Sequence, residues 1–281
     1  MARKLPRAEG FVTSGIGDIA AADPTGAVIG SAAFVATLAL LAWLTWRGSE
    51  QLGYAWQWYR VPVDLFRWTA GGPVLGPLLQ GMLVTVGISI RAMVLALALG
   101  VVTAAVRLAG TAFLRGLVRG YIETIRGTPL LVQLYLFYFI LSPLIGIGRF
   151  WTGVLALAMF ESVFAAEVMR GAIQAVPPGQ WEAARALGLR ERVTWRHIIF
   201  PQAVLPMLPP LAGILVSLIK DSAIVSVISV FDLTYQGRNI ISSTFMSFEI
   251  WTTVAVLYLI MTISLSALVN EVERRVRRRR A

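Results

Sequence analysis

The chain is poor in the residues on which most enzyme sites depend. It contains no cysteine and a single histidine, His197, among 281 residues. Without cysteine it can form no disulfide, zinc–thiolate or iron–sulfur site. His197 lies in a polar segment beside Trp195 and Arg196, so a Ser/His pair inside an apolar stretch is excluded. We therefore expect no catalytic residue, no metal site and no cofactor in this chain.

Motifs for metal and nucleotide chemistry are missing as well. No H-E-x-x-H occurs, and the carboxylates are too scattered for a metal cage. Neither Lys4 nor Lys220 follows a glycine-rich G-x-x-x-x-G-K-[ST] loop, so the chain does not hold ATP phosphates in that way. If ATP powers this protein, a partner subunit hydrolyses it.

Charge is scarce, and apolar residues are in excess. Charged residues make up 14% of the chain and hydrophobic residues 57%, with a mean hydropathy of +0.72. Soluble domains carry about one-quarter charged residues. So little charge cannot cover a surface that faces water, and this composition indicates a lipid bilayer as the solvent.

The apolar residues fall into runs that match the thickness of a membrane. Six stretches reach, or nearly reach, the ~20 residues that a spanning helix needs. They are Ala27–Trp46, Leu78–Val106, Thr128–Ile147, Phe150–Met169, Ile198–Ile219 and Ile250–Asn270. The sequence predicts an all-α, polytopic membrane protein with about six transmembrane helices. A shorter apolar run, Ser222–Phe231, predicts a half-helix or re-entrant piece packed against protein.

The distribution of arginine and lysine predicts the orientation. The segments 1–26, 107–127, 170–197 and 271–281 hold 18 of the 25 basic residues. Because cytoplasmic segments carry the excess of Lys and Arg, both termini are expected in the cytoplasm. The arginine-rich C-terminus would contact the anionic inner leaflet, so the net charge of +10 indicates membrane lipid and not nucleic acid.

The loop between the fourth and fifth stretches has an unusual composition. It reads PPGQWEAARALGLRERVTWRHIIFP and runs from Pro177 to Pro201. A short helix over Trp181–Leu187 is predicted to end at Gly188, where a positive φ is favourable. A second charged helix, Arg190–His197, then leads into the fifth stretch. Two short helices with a glycine joint predict a compact projection that a partner could contact, and its small alanines would allow a close approach.

This loop resembles the EAA loop of bacterial ABC importer permeases, whose pattern is E-A-A, three residues, Gly, nine residues, Ile, one residue, Leu-Pro. The matching residues are Glu182, Ala183, Ala184, Gly188, Ile198 and Pro201, and Phe200 stands where the family has leucine. Three further segments, at 121–138, 165–176 and 218–228, resemble permeases for polar amino acids of the His/Glu/Gln/Arg/opine group. The resemblance covers residues 76–272, but Glu161-Ser162-Val163-Phe164 departs from the family's usual residues.

The resemblance implies a chain organisation and a set of partners. Residues 1–75 would form a cytoplasmic tail, one extra span and an external aromatic-rich loop. Residues 76–272 would form a five-helix permease core with its ATPase-coupling loop at 177–201, followed by a basic tail at 273–281. The implied partners are two ATP-binding subunits, a second permease copy (identical or not), an external, periplasmic solute-binding protein and a polar amino acid. The implied location is the bacterial inner membrane.

Four charged residues in or at the spans are candidates for the solute pathway. A charge at mid-bilayer costs about 2.5–3.5 kcal/mol, so each one needs a reason. Glu161 lies mid-span and could bind a substrate ammonium group, or it could share a proton with a neighbouring helix. Arg91 could face a substrate carboxylate, although tilt, access to water or an acidic partner would also explain it. Lys220 and Asp221 close the fifth span, where the resemblance implies a structural or gating role.

Other readings of the chain remain open at this stage. Glu167 and Arg170, one helical turn apart, are expected to form a structural ion pair. A self-sufficient secondary transporter or channel would need no docking loop, so the loop favours the importer. A membrane-embedded enzyme is disfavoured by the missing histidine and metal ligands.

We predict that Arg60 and Arg185 lie on opposite sides of the membrane. Because the chain has no cysteine, Arg60→Cys and Arg185→Cys each create a unique labelling site. A membrane-impermeant maleimide added to intact cells should label the first variant and not the second, which becomes reactive after lysis. Labelling of both from the same side would contradict the orientation.

Overall fold

The structure is a computed structural model that describes residues 32–40, 43–44, 47–48 and 54–278. The chain forms two compact units, Met1–Trp56 and Gln57–Ala281. In the first unit the described residues at 32–40 are helical. The expected span Ala27–Trp46 is described only at residues 32–40 and 43–44, and as a whole it stays a prediction.

The second unit begins with a small structured segment. A 3-10 turn (Trp58–Arg60) leads into helix α1 (Val61–Leu65), and strands β1 (Phe66–Thr69) and β2 (Gly72–Leu75) form an antiparallel hairpin. Gly72 has φ +112°, a conformation that favours glycine. The sequence predicted an aromatic-rich loop here, and the hairpin corrects that expectation, whereas the all-α fold class holds for the rest of the described residues.

The rest of the unit is helical. In chain order the helices are α2 (Pro77–Ala109), α3 (Ala112–Gly127), α4 (Leu130–Leu136), α5 (Ser142–Ile145), α6 (Arg149–Gln174), α7 (Pro178–Ala186), α8 (Glu191–Thr194), α9 (Phe200–Asp221), α10 (Leu233–Thr244) and α11 (Ser247–Arg278). A π-helical turn at Phe137–Leu141 joins α4 to α5, and another at Trp195–Ile199 joins α8 to α9. A 3-10 helix, Ser222–Ile228, follows α9.

Four helical stretches in the described part of the chain are long and apolar enough to cross a membrane. They are α2, α6, the continuous run Glu191–Ile228 that contains α9, and the Ser247–Glu271 part of α11. They confirm that four of the expected apolar stretches form helices of the length and apolarity that a span needs. The predicted short piece after the fifth stretch is confirmed as helical, since the 3-10 helix begins there.

The expected straight span Thr128–Ile147 is corrected to one arm of a bent pair. Helix α3 meets the α4–α5 stretch at an angle of 111°. Only the two parts together are long and apolar enough to count as a fifth candidate span. Proline fixes its own φ and pushes the residue before it out of the α region. Thr128 and Pro129 both have extended ψ angles, 141° and 140°, so the helix must stop between the two arms.

Helices α2 and α6 make the most extensive helix contact of the unit. Their approach depends on a small residue, because a Cβ placed on Gly100 would lie 3.0 Å from Cβ of Ala165 and 3.3 Å from the backbone N of Ala166. Within a bilayer, close packing of small residues replaces the hydrophobic effect as the force between helices. This contact brings the middle of α6 into the core.

The first turn of α10 is fixed by a buried acid. The Asp232 carboxylate accepts hydrogen bonds from the backbone N–H groups of Thr234 (3.2 Å) and Tyr235 (3.0 Å). Leu233 N–H donates to Thr85 Oγ1 of α2 at 3.1 Å. Burial raises the pKa of the Asp232 carboxyl to about 6. These bonds hold α10 against the first half of α2.

We predict that Gly100→Val separates α2 from α6. The added side chain must displace the backbone of α6, and overpacking of this kind costs about 1–3 kcal/mol. Gly116→Val in α3 is the matched control, because a Cβ there meets nothing within 4 Å. Thermal unfolding of the purified permease should show a lower Tm for Gly100→Val alone, and equal Tm values would contradict this packing.

Candidate functional site

Two carboxyl groups meet inside the helix bundle. Glu161 lies near the middle of α6 and is 4% exposed. Its carboxyl group lies close enough to that of Asp221, the last residue of α9, for the two groups to interact electrostatically. Two neighbouring carboxylates repel each other, so the pair is a favourable place for a cation. The structure thus joins two candidates that are far apart in the sequence.

Lys220 and Arg91 relate differently to this pair. Lys220 is exposed and interacts electrostatically with Asp221. Arg91 is exposed on α2, where Nη1 donates to its own helix at Gly87 O (3.0 Å) and the guanidinium lies 5.5 Å from the ring centre of Phe150. Phe150 begins α6, about 16 Å of helical rise from Glu161. The structure does not bring Arg91 to the carboxyl pair.

A second set of charges ties α2 to α6 at their C-terminal ends. Arg107 Nη1 donates to Glu167 Oε1, and Arg170 Nη2 donates to Glu167 Oε2 at 2.7 Å. Arg170 also reaches Gln174 Oε1 at 2.5 Å. The expected structural pair of Glu167 and Arg170 is confirmed, and Arg107 is a partner that sequence spacing could not reveal. The side chains are partly exposed, so solvent weakens the attraction.

The loop between α6 and α9 has the predicted glycine joint. Helix α7 ends where Gly188 adopts φ +67°. Gly188 N–H donates to Arg185 O (2.9 Å), and Leu189 N–H donates to Ala184 O (3.1 Å). This pair of bonds is a Schellman motif, which requires the left-handed conformation that glycine adopts readily. The chain then enters α8 with Arg190 as the preceding residue.

Aromatic packing fixes the loop to the following span. The rings of Trp181 in α7 and Trp195 in the π-helical turn are 5.2 Å apart in an edge-to-face arrangement. Gln202 Nε2 in α9 donates to Gln180 Oε1 in α7 at 3.3 Å. Because α8, the π-helical turn and α9 are one continuous helical run, a displacement of the loop is transmitted directly to α9.

The loop residues divide into an exposed group and a packed group. Glu182, Ala183, Gly188 and Pro201 are exposed, whereas Ile198 is partly buried. Ala184 is only 1% exposed, so this alanine packs inside the loop and is not part of its surface. Sequence analysis missed Leu187, which is 75% exposed at the end of α7. Its position next to Gly188 is the sequence feature from which this exposure could have been predicted.

A cavity of about 480 Å³ lies elsewhere, between the C-terminal half of α2, the end of α6 and the start of α9. Its walls are apolar side chains, among them Leu108, Met169, Trp195 and Phe200. A polar solute would lose its hydrogen bonds to water there without replacement. Of the two places, the Glu161–Asp221 pair is the better candidate for contact with a polar solute. No group of His, Asp and Glu in the described residues could hold a metal ion.

Comparison with known proteins gives a consistent result. Residues 96–278 match the family described as "Binding-protein-dependent transport system inner membrane component". The glutamine transport system permease protein of Escherichia coli K12 is 36% identical over 215 residues, which are 75% of this chain and 98% of that protein. A probable glutamine ABC transporter permease of Bacillus subtilis is 38% identical over 70% of this chain and 92% of its own length.

Among solved structures, the chain resembles an amino acid ABC transporter crystallised with histidines. The TM-score is 0.66 and the sequence identity 39%, and the match covers 71% of this chain and 94% of the other. The match to the family model begins at residue 96, so it does not include the first unit.

Proposed function

The chain belongs to the family of binding-protein-dependent transport system inner membrane components, and on this premise we propose that it forms the translocation pathway for polar amino acids in an ATP-driven importer. It is a multi-pass permease subunit of an ABC transporter. The geometry of the loop at 177–201 is the observation that carries the proposal, because a glycine-jointed projection fixed to α9 suits transmission of force from a partner.

The proposed assembly contains this chain, a second permease copy, two ATP-binding subunits and an external solute-binding protein. ATP is hydrolysed by the partner subunits. In the proposed orientation both termini and the loop lie in the cytoplasm, so the loop meets the ATP-binding subunit. Glu182, Ala183, Gly188 and the exposed Leu187 form the contact surface, while the packed Ala184 and Ile198 hold its shape.

The proposed substrate contact is the carboxyl pair of Glu161 and Asp221. Every amino acid carries an α-ammonium group, and a charge-assisted hydrogen bond to a carboxylate is stronger than a neutral one. A cation entering the pair can interact with both carboxyl groups at once. Lys220, beside Asp221, balances the charge when no cation is bound. The similarity to glutamine permeases supports an amino acid as the solute.

We predict that Gly188→Val weakens attachment of the ATP-binding subunit. A side chain in the left-handed conformation costs about 1–2 kcal/mol, so the Schellman turn opens. Gly179→Val in the same loop is the control, since Gly179 has space around it and no positive φ. Glu182→Lys should weaken attachment through charge alone. The measurements are co-purification of the ATP-binding subunit and ATP-driven uptake; undiminished values in both test variants would mean that this loop is not the attachment surface.

We predict that Glu161→Gln weakens use of the substrate by roughly 10- to 150-fold, which corresponds to the about 1.5–3 kcal/mol of a hydrogen bond to a charged group. The substitution keeps the shape and removes the charge. Half-saturation of uptake and of ATPase stimulation by the loaded binding protein are measured on the assembled complex. Asp221→Asn should act in the same direction.

Glu167→Gln is the control for this experiment, because it removes a carboxylate of the same helix that binds only arginines. It should lower the Tm slightly and leave half-saturation unchanged. If Glu161→Gln lowers the Tm but transports with wild-type half-saturation, the carboxyl pair is a structural contact between α6 and α9.

A further inference from the structure

The hairpin at the start of the second unit has two chemically different faces. Its register pairs Phe66 with Leu75 and Trp68 with Pro73. Neighbouring residues of a strand point to opposite faces, and directly paired residues share a face. Those four residues therefore form one side, called here the apolar hairpin face. The opposite side carries Arg67, Thr69, Gly72 and Val74.

The apolar hairpin face exposes large apolar side chains, and their contact with water is unfavourable in free energy. Trp68 is 82% exposed, Phe66 50% and Leu75 38%. Burying a large apolar side chain is favourable by about 1.5–3 kcal/mol. The described part of the chain buries these three side chains only in part. Contact with an apolar phase or surface outside the chain would therefore be favourable.

The hairpin is nevertheless a fixed element. Gly76 N–H donates to Leu65 O at 2.7 Å, and Gln80 Nε2 of α2 donates to Leu75 O at 2.7 Å. The segment before it is tied to α11, since Gln57 N–H donates to Oε1 of the buried Glu249 at 2.6 Å. The apolar hairpin face is therefore presented in a defined position.

That position lies at the start of a helix that is long and apolar enough to cross a membrane. Only Gly76 separates the hairpin from Pro77, the first residue of this helix. The bond to Glu249 holds the segment at the level of the first turn of α11, where Phe248 and Trp251 are also exposed. Only 11% of the apolar stretch of α11 is buried within the chain, so this helix lies at the periphery. Tryptophan and tyrosine concentrate at membrane–water interfaces.

We propose that the apolar hairpin face lies in the interfacial layer of the phospholipid bilayer, with Trp68 at the level of the headgroups and Arg67 and Thr69 towards water. The hairpin then acts as a lipid anchor for the start of α2. It precedes the residues 96–278 that match the family. The proposal rests on the position of the hairpin beside the spanning helices, and it does not depend on which solute is transported.

The absence of cysteine permits a matched test. Trp68→Cys and its neighbour Thr69→Cys, on opposite faces, are each labelled with an environment-sensitive fluorophore (NBD) in the assembled transporter. The complex is placed in nanodiscs of phosphatidylcholine and phosphatidylglycerol, which leave both membrane sides open to iodide. Leu75→Cys and Val74→Cys repeat the comparison on β2, in case the loss of Trp68 disturbs the hairpin.

The labels at 68 and 75 should show blue-shifted emission, loss of fluorescence with nitroxide-labelled lipid, and little quenching by iodide. The labels at 69 and 74 should show the reverse. Equal quenching of both faces by iodide would overturn the proposal. Protection of the label at 68 only after addition of the solute-binding protein would assign the face to that protein instead. Protection from both quenchers would mean that another protein surface covers it.

Discussion

The fold depends on one property of hydrocarbon: it offers no hydrogen bonds, so polar and charged groups within it must find partners in the protein or reach water. The described residues satisfy this in three ways. Glu161 is paired with Asp221 of another helix, and Glu167 is held between Arg107 and Arg170 near the helix ends. Arg91 turns along its own helix towards Gly87 and the ring of Phe150.

The same property decides how much of the fold the sequence could predict. Long apolar runs have few alternatives to spanning helices, which is why α2, α6, α9 and α11 were expected close to their observed bounds. Gly188 was predictable because a left-handed turn has a strong residue preference. Pro129 indicates the bend between α3 and α4. The bend was missed because the long apolar run after Pro129 also fits a single spanning helix.

Other features depend on contacts between distant parts of the chain and were missed for that reason. The periodicity of α6 places Glu161 on a face but does not identify Asp221 as its partner. The burial of Ala184 depends on how α7 packs against the rest of the loop, including the π-helical turn. The hairpin could be predicted in part from the sequence. Phe66 and Trp68 alternate with polar residues before Gly71 and Gly72, a pattern typical of a β-hairpin.

The π-helical turn at Trp195–Ile199 determines the rotation about the helix axis that relates the loop to α9. A π-helical turn accommodates one residue more than the α-helix around it. Each residue of an α-helix advances the chain by about 100° around the axis. Had this turn been α-helical with one residue fewer, Trp195 would point away from Trp181, and α7 would lie on a different side of α9. A single residue of helical winding thus fixes the direction in which the loop projects from α9.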